Sequence, residues 1–201
     1  MRTISPLALV ATIAAATLAA VASPAEAHVL GSAEGFVQGF AHPVSGLDHV
    51  LAMVAVGVWA AGRGGTDLWR MPAAFVSTML AGALAAAVGL ALPFGELGIA
   101  GSLVLFGLVI GLGARLRGAL GAVLVGAFAV FHGQAHGIEL EIAADPVAFA
   151  IGFMLSTTSL HLAGIGIGLA VERSRTRLAF AGLRAAGALV AVVGATLLMG
   201  P

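Results

Sequence analysis

The sequence predicts an all-α integral membrane protein, a bundle of six transmembrane helices following a cleavable signal peptide. Three observations carry this expectation. Of the 201 residues, 60% are apolar and only 9% charged, whereas a soluble domain carries roughly 25% charged residues to cover its surface. Apolar stretches recur at the length of about 20 residues that a helix needs to cross a bilayer. Seven of the eight arginines beyond the leader fall in every second connection between those stretches, as positively charged cytoplasmic loops do.

Composition also excludes classes of function. Disorder needs low hydrophobicity and high charge. The chain has no Cys, hence no disulfide, thiolate metal site or sulfur nucleophile. All nine of its basic residues are Arg, so it lacks the lysine of a nucleotide-binding phosphate loop or of a Schiff base. Nine acidic residues balance them, and no basic surface invites nucleic acid. Neither a prosthetic group nor a nucleotide is implied.

Residues 1–27 read as the signal peptide. Arg2 precedes an apolar run from Pro6 to Ala22, Ser23-Pro24 breaks the helix, and Ala25-Glu26-Ala27 supplies a small-residue cleavage site. Residues 28–201 then form one domain of six spans, expected at 44–61, 71–92, 97–114, 118–138, 146–170 and 179–200. The runs lack two-residue alternation, which favours helices over a barrel. Signal cleavage puts the mature N-terminus outside, and six spans return the C-terminus there. Arg63 and Arg70, Arg115 and Arg117, and Arg173, Arg175 and Arg177 then lie inside, with Arg184 close enough to snorkel inward. The expected location is the bacterial inner membrane, with both mature termini periplasmic.

The acidic residues Glu34, Asp48, Glu96, Glu139, Glu141 and Asp145 gather on the outer side, where they attract cations. Gly107 with Gly111, Gly133 with Gly137, and Gly164 with Gly166 and Gly168 are expected to form packing seams.

Ionisable groups inside a span are costly and mark function. In His42-Pro43-Val44-Ser45-Gly46-Leu47-Asp48-His49, Pro43 suits the first helical position. His42 then stands at the helix entrance, with His49 two turns along the same face. Asp48 adjoins His49, and Met53 lies one turn beyond. In Phe131-His132-Gly133-Gln134-Ala135-His136-Gly137-Ile138-Glu139, His132, His136 and Glu139 are expected on one helical stripe. Two imidazoles at that spacing can chelate one metal. Two helices bearing imidazole and carboxylate at matched depth can build a single site for a borderline divalent cation.

Three further positions are weaker. His161, about 22 Å into the fifth span, follows the polar run Ser156, Thr157, Thr158 and Ser159; it serves either as a lower relay or as a packed, hydrogen-bonded imidazole. His28, once exposed by cleavage, would offer an amine and an imidazole at the mouth. Glu96 is expected in the short outer loop between spans two and three.

Gly35-Phe36 and Gly39-Phe40, followed by HPVSGLDHVLAMVAVGVWA and then FHGQAHGIEL, resemble the HupE/UreJ family of bacterial nickel permeases, and the likeness covers essentially the whole mature chain. The resemblance implies a secondary permease supplying Ni²⁺ for hydrogenase or urease maturation, with some relatives associated with cobalt. It implies that His42, Asp48, His49, His136 and Glu139 are needed for transport. Glu96, and Phe75 in the second span, are further matching positions.

The expected cargo is therefore Ni²⁺, with Co²⁺ or Zn²⁺ as alternatives, held by imidazole and carboxylate from spans one and four. Protons would compete with it for the same nitrogen lone pairs. Two other readings use the same residues. One is an intramembrane zinc-dependent hydrolase, assisted by Ser45 or Ser159. The other is a membrane accessory protein that binds metal without transporting it.

Overall fold

A computed structural model describes residues 31–116 and 118–200. The expected leader and His28 lie outside these residues. Every regular element described is an α-helix. They run α1 Gly31–Ser45, α2 Leu47–Arg63, α3 Asp67–Ala87, α4 Gly95–Leu112, α5 Gly118–Ala135, α6 Gly137–Ile142, α7 Pro146–Ser174 and α8 Arg177–Met199.

Four helices, α3, α4, α7 and α8, are long and apolar enough to cross a membrane. The pair α1 and α2 makes a fifth candidate, bent by 80°. The apolar part of α5, Ala119–Ala135, is shorter. Large apolar side chains such as Leu112, Val123, Val147, Leu178 and Leu189 stand exposed on several helices, a surface suited to lipid.

The first expected span differs from what is found. It does not begin at residue 44. A separate helix, α1, already occupies 31–45, and Pro43 lies inside it rather than at a helix start. Pro43 is near enough to the C-terminal end that its missing N–H removes little of the helix. The chain turns at Gly46, in an extended conformation at φ −100° and ψ 119°, and resumes as α2.

The bundle is built on long helix pairs: α3 along α5, α4 along α8, and α7 against both α1 and α2. Glycine makes the closest of these possible. A side chain at Gly57 of α2 would strike the His161 carbonyl oxygen, and one at Gly164 of α7 would strike the Val54 carbonyl oxygen. The two backbones are in direct contact, as small residues permit in membrane helices. Gly166, expected in the same seam, has no neighbour within 4 Å. Met53, Phe75, Met79, Leu103 and Phe106 fill the core between the pairs.

Candidate metal centre

Two interruptions in the helices place the imidazoles. The first is at Gly46. His42 sits in the last turn of α1 and His49 in the first turn of α2, so they are not on one face of one helix. The second is at His136, whose backbone (φ −104°, ψ 4°) leaves the helical path between α5 and α6. His132, His136 and Glu139 therefore do not form a continuous stripe: His132 belongs to α5 and Glu139 to α6. In both places a glycine adjoins the break, and the freed backbone lets each side chain turn inward independently.

The breaks face each other. His42 Nε2 lies 3.3 Å from Glu139 Oε2, and His136 Nδ1 lies 2.6 Å from that same oxygen. One ligand atom from each of His42, His136 and Glu139 falls within 4.8 Å of the other two. His49 joins them, its Nε2 2.7 Å from His136 Nε2. Asp48 Oδ1 accepts from both the backbone N–H and the Nδ1 of His49, at 2.9 and 3.0 Å. His132 packs edge-on to His49 with ring centroids 4.8 Å apart. Phe153 and Phe149 of α7 wall the cluster, Phe153 lying 4.9 Å from the His136 ring. An open vestibule of about 580 Å³, lined by Gln38, His42, Ser45, Glu139 and Phe149 among others, leads to it.

Burial deepens along this series. The His42 and Glu139 side chains are 31% and 39% exposed, those of His49 and His136 only 9%. The His132 residue is completely buried. The cluster is a funnel, open at the carboxylate end and closed at the imidazole end.

Hydrogen bonding fixes where the ring protons sit. A carboxylate or carbonyl oxygen only accepts, so the ring nitrogen facing it carries the proton. His49 and His136 each turn Nδ1 to a carboxylate, Asp48 and Glu139, so Nδ1 carries a proton, and their Nε2 atoms face each other at hydrogen-bond distance, where one shared proton joins them. Ser102 Oγ donates its one proton to the Ile99 carbonyl at 2.6 Å. It must then accept from His132 Nε2 at 2.9 Å, leaving His132 Nδ1 bare. His132 Nδ1 is buried with no hydrogen-bond partner among the described residues, which costs about 1–3 kcal/mol. A ring that donates one N–H to an acceptor and presents the other nitrogen unprotonated is arranged as a metal ligand is.

The remaining sequence candidates fall elsewhere. Glu96 is not in a loop but in the first turn of α4, exposed and in no hydrogen bond or ion pair among the described residues. Thr158 and Ser159 face outward and bond to carbonyls of their own helix, so only half of the expected polar run reaches the interior. The Ser45 hydroxyl likewise donates to the His42 carbonyl. His161 is buried in α7 beside Phe75. Sequence reasoning missed Ser102, which sets the His132 proton, and Gln134. The Gln134 amide donates to the Gly82 and Leu90 carbonyls and accepts from Leu92 N–H, pinning the loop after α3 to α5. A polar residue inside the histidine motif was the available signal.

A model of the HupE/UreJ protein family matches residues 15–197. The chain belongs to the HupE/UreJ family. Protein HupE of Rhizobium leguminosarum bv. viciae is 42% identical over 189 residues, covering 92% of this chain and 96% of that protein. No solved structure matches. The histidine-bearing breaks all lie within the matched part of this HupE/UreJ member, which is a multi-pass helical membrane protein related to hydrogenase and urease accessory function.

Proposed function

We propose that this HupE/UreJ protein is a secondary permease that carries Ni²⁺, with Co²⁺ or Zn²⁺ as competing cargo, from periplasm to cytoplasm for hydrogenase or urease maturation. In this reading α1 and α2, α3, α4, α5 with α6, α7 and α8 make the six crossings. Both mature termini are periplasmic and the arginine-bearing connections cytoplasmic.

The observation that carries the reading is the convergence of His42, His49 and His136 with Asp48 and Glu139 at the foot of an open vestibule. Glu139 and His42 meet a hydrated cation first, where one negative charge and one imidazole replace part of its water. His136 and His49 then offer their facing Nε2 nitrogens deeper in the funnel, in exchange for the proton they share. Asp48 and Glu139 orient these rings by holding their Nδ1 protons, which also raises the basicity of the Nε2 nitrogens. Such a graded series suits conduction, which needs binding strong enough to admit the ion and weak enough to release it.

The test is Ni²⁺ uptake into sealed proteoliposomes containing the full chain. Uptake is expected from the wild type, and at least a tenfold loss from His49→Ala at equal protein content. Unchanged flux in His49→Ala would overturn the reading. Metal bound without flux would make the protein an accessory binder, and turnover of a peptide or lipid with the metal fixed would make it a hydrolase.

A further inference from the structure

We propose that His161 and Thr157 of α7 form a second, inner station for the divalent cargo, separated from the outer cluster by the ring of Phe75. The inference rests on the permease reading and adds to it a binding site on the cytoplasmic side of the barrier.

His161 Nδ1 lies 2.7 Å from the Thr157 carbonyl oxygen. That oxygen only accepts, so Nδ1 carries the proton and Nε2 is left as a lone pair. Nε2 is buried and has no hydrogen-bond partner among the described residues, and the same is true of Thr157 Oγ1. The two residues are 1% and 0% exposed. They stand one helical turn apart on one face of α7, where side chains at that spacing are neighbours. A Lewis-basic nitrogen and a hydroxyl one helical turn away are thus both buried without a hydrogen-bond partner among the described residues. The nitrogen's ring is locked through a backbone carbonyl, as in metal-ligating histidines.

Position makes this a station and not a local oddity. Phe75 is fully buried and its ring packs against two imidazoles, 5.4 Å from His132 and 4.9 Å from His161, centroid to centroid. His132 belongs to the outer series and turns its own bare Nδ1 into the interior. His161 is eight residues, about 12 Å along the helix, beyond the Phe153 that packs on His136. Below it α2 carries Trp59, whose Nε1 is another buried donor without a partner among the described residues. Trp59 lines a cavity of about 180 Å³ at the arginine-bearing end, with Arg63, Arg115, Glu172 and Arg184. An ion leaving the outer cluster has one aromatic ring to pass before it meets His161. A rotation of Phe75 about its side-chain bonds is the smallest motion that joins the two sides.

The experiment uses the full chain. Ni²⁺ bound at equilibrium is counted by dialysis in detergent micelles, and Ni²⁺ flux is measured in proteoliposomes. The wild type is expected to bind two ions per chain, and His161→Ala and His136→Ala one each. Flux in His161→Ala should fall at least tenfold. Thr157→Val preserves shape and backbone bonding, and is expected to weaken the inner site three- to tenfold while leaving the outer site unchanged. The station is overturned if His161→Ala still binds as many ions as the wild type. Should His161→Ala fail to fold, Thr157→Val decides, and unaltered binding and flux there overturn the station. A wild type that transports Ni²⁺ with its full complement of ions retained in His161→Ala sinks the inner station alone. A wild type that neither binds nor carries Ni²⁺ sinks the permease reading and the station together.

Discussion

The Nε2 atoms of His49 and His136 lie 2.7 Å apart, while each ring already donates from Nδ1 to a carboxylate. That is a hydrogen-bond distance, so a shared proton joins the two nitrogens, and a metal ion bound to both would displace it. The pair is therefore a trap for a positive charge, and the two residues act as one unit. His49→Ala and His136→Ala should each lower Ni²⁺ flux at least tenfold. The double variant should be little worse than either single one, because contacting partners are not additive. Flux in matched proteoliposomes checks this; multiplicative losses would show that the two rings work separately.

Asp48 and Glu139 set the ring protons, so their charge matters apart from their shape. Asp48→Asn keeps an oxygen for His49 Nδ1 but loses the negative charge. Removing such a supporting partner typically costs 10- to 100-fold in metal affinity. A loss in that range is expected for Asp48→Asn and Glu139→Gln, measured as Ni²⁺ affinity of purified protein. Glu139→Gln should be the more severe, since Glu139 contacts both His42 and His136.

The helical class and the identity of the clustered residues were legible in the sequence, because apolar length and buried imidazoles are composition-level signals. The geometry was not. Pro43 followed by Gly46 reads equally as a helix start or a helix end, and only the packing of α1 along α7 makes it an end. The spacing of His132, His136 and Glu139 fits an unbroken helix. The break at His136 is set by tertiary contact: a side chain at Gly133 would strike the Met79 backbone, and one at Gly137 would strike Ala86. Both glycines press α5 and α6 onto α3. The pairing of His161 with Phe75 is a contact between helices far apart in the chain, which no periodicity records.

Gly46 is placed to tune the site without touching metal. Its φ of −100° suits any residue, so alanine there carries no backbone strain. The added methyl would approach Asp48 Oδ1 to 2.8 Å and His49 Nδ1 to 3.2 Å, crowding the hydrogen bond that orients His49. Gly46→Ala should fold with a melting temperature near that of the wild type, yet bind Ni²⁺ three- to tenfold more weakly. Wild-type affinity in this variant would mean that the Asp48–His49 bond does not control the ring.

Two glycines on one helix should respond with opposite sign. At Gly164 a methyl would meet the Val54 carbonyl oxygen of α2. That atom is backbone and cannot swing aside, so α2 and α7 must separate. Overpacking of this kind typically costs about 1–3 kcal/mol, and here it also shifts α2, which carries His49, relative to α7, whose Phe153 packs on His42 and His136. Gly166, two residues on, has open space around it, and alanine there adds helix propensity of up to about 1 kcal/mol. Gly164→Ala should therefore lower the thermal unfolding midpoint in micelles and reduce Ni²⁺ binding. Gly166→Ala should leave binding unchanged and the midpoint equal or higher. Equal midpoints for the two variants would show that the α2–α7 contact is looser than its geometry indicates, and the funnel between those helices would then lack a rigid wall.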